Sequence, residues 1–203
     1  RYRRDIPHLL RYCPLSCISD ATVNNTKLGT TYTPYEHYYA WKKVNNEDPA
    51  AQKGIDQVKT IVAGAYEPSR FLEIIRDYVY FPDKDKDYRE EEIVCRYPQF
   101  FATRMLKESV LSAFAVNDSR GGTYFGATGC GKTYTMMFLA RQLSLRCKVL
   151  GSPTIIMIVD RDDLQTQAQD IEEQISNIIK EKNATISELA ASEELEKNVE
   201  KQI

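Results

Sequence analysis

No apolar run in this sequence is long enough to cross a bilayer, and no charged start followed by an apolar core marks a secretory signal. An excess of one charge sign is missing too. The net charge is -2 and the pI about 5.8, so any nucleic-acid contact has to be a local patch. Cysteine is sparse and badly spaced for cross-linking. The five thiols, Cys13, Cys17, Cys95, Cys130 and Cys147, are an odd number at irregular intervals, a poor disulfide framework. Cys13 and Cys17 open no zinc site, because no second Cys/His pair follows at ligand spacing. Free thiols in a reducing cytoplasm are the expectation. An initiator Met is also absent: the chain begins "RYRRDIPHLL", which reads as a fragment. What is present, 42% hydrophobic and 28% charged residues over 203 positions, is enough for one large soluble domain or pieces of two.

Along the chain, "LSCISDAT" (Leu15 to Thr22) reads as a short strand, and "NNTKLGTTYT" adds turn residues and Thr/Tyr alternation, so a hairpin is expected. "TPYEHYYAWKKVNNEDP" is aromatic-rich and closes in a polar loop. "SRFLEIIRDYVYF" places Phe71, Leu72, Ile74, Ile75, Tyr78 and Val79 on one helical face, with Ser69 as the expected N-cap. The charge-dense "PDKDKDYREEE" is the expected domain connector. Apolar residues from Ile93 to about Phe114 recur at helical spacing. "DSRGGTYF" then reads as a short strand leading into a glycine loop, and "MMFLARQLSL" as a helix. "TIIMIVD" (Thr154 to Asp160) is an unbroken β-branched run suited to a strand covered on both faces of a parallel sheet. This order predicts an α/β fold. From about Ala168 two stripes, Ile171, Ile175, Ile178 and Ile179, then Leu189, Leu195, Val199 and Ile203, predict a helical tail.

The glycine loop is "GATGCGKT", Gly126 to Thr133, which satisfies GxxxxGK[ST] between a strand-like stretch and a helix. Glycines let successive backbone N–H groups converge on phosphate oxygens, and the following helix adds its positive N-terminal end to the same anion. On this reading Gly126, Ala127, Thr128, Gly129, Cys130 and Gly131 wrap the phosphates. Lys132 bridges the β- and γ-phosphates, and the Thr133 hydroxyl ligates Mg²⁺. No guanine-reading NKxD and no acceptor-substrate site of a kinase is visible.

Together with its neighbours, the loop resembles the motor subunit of type I restriction enzymes, in which superfamily 2 helicase-type ATPase domains follow a PD-(D/E)xK nuclease domain. The similarity runs from Arg1 to about Gln167 through "RYRRDIPHLLRYC", "ISDATVNNTKLGTTYTPYEHYYAWKK", "RFLEIIRDYVYF", "RYPQFFA", "GATGCGKTYTMMFLARQL" and "VDRDDLQTQ". The resemblance implies the closing half of the nuclease domain and a connecting helix over residues 1–80. A partial first RecA-like domain over 81–167 and a helical tail over 168–203, from a later region of such a protein, follow. It makes Gln99 the adenine-reading glutamine, with Arg96 supporting the base or stacking on it. It places Tyr2, Arg3, Arg4 and Arg161 near DNA, and leaves Asp20 and Glu36 as structural residues rather than nuclease metal ligands. The implied cofactors are ATP and Mg²⁺. The implied partners are double-stranded DNA and the methyltransferase and specificity subunits, with no membrane.

The sequence departs from that pattern. No DExH-type stretch and no second-lobe arginines appear after "VDRDDLQTQ", so the chain as given is expected to bind nucleotide but to hydrolyse it poorly. Another superfamily 2 helicase without a nuclease, and a non-enzymatic nucleotide-binding scaffold, are the competing readings.

Overall fold

The structure, a computed structural model, describes residues 5–6, 13–20, 22–50, 53–80 and 92–158, with 176 and 180 as isolated helical positions. It divides into two compact units, Arg1–Thr135 and Met136–Ile203.

The first unit contains the expected hairpin. Strand β1 (Ser16–Ile18) pairs antiparallel with β2 (Lys27–Gly29), with Cys17 opposite Leu28. Asp20 organises the connection. Its Oδ1 accepts from the Thr22 and Asn24 N–H groups at 3.1 and 2.9 Å, and its Oδ2 from the Asn25 amide at 2.7 Å. The Thr22 hydroxyl, also on Oδ1, contributes most to holding this carboxyl below the usual range. Such side-chain-to-backbone bonding is what makes Asp a turn residue. Among the described residues no group of three or more His, Cys, Asp or Glu is placed to hold a metal.

After a 3-10 turn at Tyr35–His37, Tyr39 returns to bridge Leu28 through two backbone hydrogen bonds of 2.9 and 3.0 Å. That return delivers Trp41 to the core, where it is 2% exposed. Its ring lies 5.6 Å from Phe100 and 6.4 Å from Phe101 in tilted arrangements, and Phe100 lies 4.9 Å from Tyr78. Aromatic pairs at these separations add to simple area burial.

Helix α1 (Ile55–Gly64) was not expected from the sequence, because only Thr60, Ile61 and Gly64 are buried and the apolar stripe is correspondingly thin. Its last residue carries no side chain for a reason. A Cβ on Gly64 would lie 2.5 Å from the Trp41 indole nitrogen.

Helix α2 (Pro68–Asp77) corrects the expected cap. The N-cap is Glu67 rather than Ser69, and its carboxylate accepts from the Ser69 and Arg70 N–H groups at 3.2 and 2.8 Å. Pro68 explains the shift, since proline at the first helical position has no N–H to satisfy and its φ is already helical. The expected apolar face also ends earlier. Leu72 is 65% exposed, and Val79 belongs to a strand. The Arg70 N–H bond is the main reason the Glu67 carboxyl sits below its ordinary value of 4.5. A depressed carboxyl contributes stability above that value and loses it as pH falls through the lowered one. Glu67→Ala should therefore lower the urea midpoint at pH 7 and make less difference at pH 3; an equal gap at both would contradict the cap.

Strands β3 (Val79–Tyr80) and β4 (Ile93–Val94) pair antiparallel, and the connector between them, 81–91, lies outside the described residues. Helix α3 (Tyr97–Ala115) begins after β4, four residues later than its apolar spacing predicted. Proline at its second position is tolerated for the same reason as Pro68, and Phe100, Phe101 and Thr103 face the core.

Helix α4 (Lys132–Arg146) crosses the unit boundary. In the second unit Met137, Phe138 and Ala140 are buried, and a 3-10 turn follows at Lys148–Leu150. No helix of the described residues is long and apolar enough to cross a membrane.

The parallel sheet expected around the glycine loop is not formed among the described residues. Residues 118–127 have no regular structure, and Phe125 is 92% exposed. The described part of the β-branched run, 154–158, is likewise unpaired, with Ile156 and Ile158 78% and 88% exposed. A strand of this kind requires ladder partners on its edges and cover on both faces. The described residues supply neither, and β-propensity alone does not make a ladder. The result is a mixed helix and small-sheet architecture. The tail beyond 168, apart from 176 and 180, lies outside the described residues.

Candidate functional site

The glycine loop connects the irregular stretch after α3 to the start of α4. Gly129 and Gly131 have φ of 75° and 78°, the left-handed region that L side chains rarely enter, so the sequence needs glycine at both turns. The Cys130 N–H donates to the Ala127 carbonyl at 3.2 Å, tightening the loop between them.

Lys132 then folds back over the loop it follows. Its ammonium donates to the carbonyl of Gly126 at 2.9 Å and to that of Ala127 at 3.1 Å. The side chain is exposed, and these bonds hold its charge against the loop's own carbonyls. Thr133, half-buried, occupies the first turn of α4. A cation over the loop, two left-handed glycines and a helix N-terminus fit a polyphosphate, because each brings positive potential to one place.

Gln99 is brought to this loop from α3 and is only 5% exposed. Its Oε1 accepts from the Arg96 N–H at 2.7 Å, capping α3, while its Nε2 donates to the Gly131 carbonyl at 3.1 Å. The carboxamide thus ties the start of α3 to the second left-handed turn. A Cβ on Gly131 would lie 2.3 Å from that Nε2, a second reason for glycine there. Arg96 places its guanidinium 4.7 Å from the centre of the Tyr39 ring, and Tyr39 stacks on Tyr97 at 6.3 Å. A guanidinium so placed is attracted to the ring face and loses freedom.

Between these groups lies a cleft of about 310 Å³, at the small end for cofactor sites. Gly129, Gly131 and Tyr134 form one wall, and Glu92, Ile93, Val94, Arg96 and Gln99 a second. Thr33, Pro34 and His37 form the third. Burial pushes the Glu92 carboxyl up from its ordinary value, against a lowering hydrogen bond from the Thr30 side chain.

Of the residues singled out from the sequence, Arg96, Gln99, Gly129 and Gly131 line the cleft, and the rest of Gly126 through Thr133 form the loop and helix start that adjoin it. Tyr2, Arg3, Arg4 and Arg161 lie outside the described residues. Thr33, Pro34, His37 and Glu92 were not anticipated. They come from stretches distant in the chain, and no local spacing announces them.

Residues 98–203, more than half of the chain, match the family described as SWI2/SNF2 ATPase, and that range includes the stretch set apart as a tail. The chain is 28% identical over 168 residues to the type I restriction enzyme HindI endonuclease subunit of Haemophilus influenzae, covering 82% of this chain and 16% of that protein. With the putative type I restriction enzyme MjaIXP endonuclease subunit of Methanocaldococcus jannaschii it shares 25% identity over 187 residues, 83% of this chain and 17% of that one. The putative MjaVIIP endonuclease subunit of the same organism is 27% identical over 183 residues, with coverages of 86% and 16%. The chain spans about a sixth of the length of the curated relatives it matches. The similarity to endonuclease subunits of type I restriction enzymes read from the sequence is borne out, and the ATPase family fits a helicase-type motor.

Proposed function

The chain belongs to the SWI2/SNF2 ATPase family, and on that premise we propose that it forms the ATP–Mg²⁺ face of the motor in a type I restriction endonuclease subunit. The carrying observation is that the two left-handed glycines of the loop and Gln99 line one cleft, while Lys132 folds its ammonium onto the same loop. Lys132 and the loop amides would hold the phosphates, and Thr133 would ligate Mg²⁺. Bound ATP supplies the free energy for movement, and the protein groups stabilise charge on the transferred phosphoryl. In the full-length gene product this activity drives translocation of double-stranded DNA in the cytoplasm before cleavage, beside methyltransferase and specificity subunits. Residues 1–80 close the nuclease domain, 81–167 begin the first motor lobe, and 168–203 continue as a helical tail. Tyr2, Arg3, Arg4 and Arg161 contact the DNA backbone. Phe125, Ile156 and Ile158 are covered by the remaining motor sheet in a protein of the relatives' length.

The test is ATP hydrolysis by the full-length gene product with and without double-stranded DNA. Stimulation by DNA supports the motor, and silence under both conditions favours a nucleotide-binding scaffold instead.

Gln99 reads adenine in this proposal, with a loop-bracing role beside it. Gln99→Ala should weaken ATP binding about tenfold, since one cap bond and one loop bond are lost. The preference for ATP over GTP should fall at the same time. Weaker binding of both nucleotides by the same factor would leave the bracing role and reject base reading.

A further inference from the structure

The third wall of the cleft is built from the β1–β2 side of the chain, about 60 residues before the nearest motor element, a distance no P-loop argument requires. It is not a loose flap. Thr30, 0% exposed, donates its hydroxyl to the Glu92 carbonyl at 3.3 Å, and Thr33 donates to the same carbonyl at 3.1 Å. The Thr30 N–H in turn donates to the Thr33 hydroxyl at 2.9 Å, closing a small hydrogen-bonded knot. The Tyr38 hydroxyl donates to the Thr30 carbonyl at 2.6 Å and is paired with the Ser16 hydroxyl, which ties the knot to β1. On the other side Tyr39, held to β2 by its backbone bridge, carries the Arg96 guanidinium on its ring.

Residues 30–39 therefore meet the second wall at both ends of the Glu92–Arg96 run, and the 3-10 turn between these anchors presents Pro34 and His37 to the cleft. Pro34 offers an apolar face with no donor. The imidazole of His37 makes no hydrogen bond to another described side chain, and it can donate, accept or stack. Gly129 and Gly131 of the glycine loop line the same cleft. A nucleotide whose phosphates that loop held would bring its flat, neutral base among the other lining residues, Pro34 and His37 included.

We propose that residues 30–39 are a nucleobase wall: His37 contacts the base of a bound adenine nucleotide, and occupancy of the cleft is thereby sensed by the β1–β2 hairpin. This rests on the nucleotide-binding reading above. A base bridging His37 to the Arg96–Gln99 wall would rigidify the anchored turn, and the same linkage requires that disturbing the turn weaken nucleotide binding. In a protein whose β1–β2 region belongs to a nuclease domain, that linkage carries information between ATP site and nuclease.

Two ligands separate the proposal from its premise. Inorganic tripolyphosphate, with Mg²⁺, probes the loop alone, whereas ATP probes loop and base wall together. In the full-length protein, His37→Ala should weaken ATP about fivefold, the loss of one hydrogen bond or stack, and leave tripolyphosphate binding unchanged. Lys132→Ala should weaken both. Unchanged ATP affinity in His37→Ala, or an equal loss for both ligands, overturns the base wall while the loop reading stands. Failure of wild-type protein to bind either ligand overturns the loop reading itself. Hydrogen exchange gives a second readout without mutation. Saturating ATP should slow exchange at amides within 30–39 more than saturating tripolyphosphate does, and identical exchange with the two ligands contradicts the proposal.

Discussion

Lys132→Ala is expected to reduce ATP turnover by the full-length protein by roughly two to three orders of magnitude, the usual cost of removing one donor aimed at developing charge. The fold should survive. The Lys132 side chain is exposed, and its two hydrogen bonds go to carbonyls of its own loop, at 2.9 and 3.1 Å. The same geometry makes the charge important on the proposed reading. Without Lys132 the Gly126 and Ala127 carbonyls would present partial negative charge beside the proposed phosphate site. Lys132→Arg keeps the charge but exchanges a compact ammonium for a planar fork, so it should restore binding only in part. Kinetics of the three proteins, with circular dichroism as a control for folding, checks this. Wild-type turnover in the alanine variant would remove Lys132 from the site.

Trp41→Ala is the corresponding test of the scaffold, and the expected cost is about 3–5 kcal/mol, the range for truncating a large buried aromatic. Domains of ordinary stability have only about 5–15 kcal/mol in hand, so much of the population should unfold on mild heating. Trp41 is where the returning segment after Tyr39 meets α3. Its ring faces Tyr97, Phe100 and Phe101 at 6.5, 5.6 and 6.4 Å, and Gly64 of α1 is moulded against its indole nitrogen. That nitrogen is buried with no hydrogen-bond partner among the described residues. Trp41→Phe removes the unsatisfied donor together with some packing, so it should cost much less than the alanine variant. Because Trp41 is the single tryptophan, unfolding has to be followed by far-UV dichroism rather than fluorescence. Equal stability of wild type and alanine variant would mean that the core lies elsewhere.

The glycine loop was readable because its chemistry is local. Spacing of Gly126, Gly129, Gly131, Lys132 and Thr133 is set within eight positions, and the geometry at Gly129 and Gly131 follows from residue type. The β1–β2 hairpin was readable for a similar reason, with turn residues lying between two short runs. Gln99 is a different case. Its importance came from resemblance, and its bonds to Arg96 and Gly131 join positions that no periodicity connects.

The misses share a cause in the same contrast between local and distant determinants. Ser69 was preferred as a cap by residue type, whereas Pro68 moved the start and handed the cap to Glu67. Thr154–Asp160 reads as a strand by composition, but ladder partners decide whether a strand exists, and pairing is not encoded in the run itself. His37 and Thr33 reach the cleft only through the anchors at Glu92 and Tyr39. Their place in the site was invisible until the chain was folded.

Amide resonances of Gly126 through Thr133, followed by NMR as ATP and Mg²⁺ are added, test the phosphate-binding role most directly. The largest shift changes should fall on Gly129 through Thr133, saturate with ATP, and disappear in Lys132→Ala. Saturable changes confined to other residues, with these amides unmoved, would contradict it.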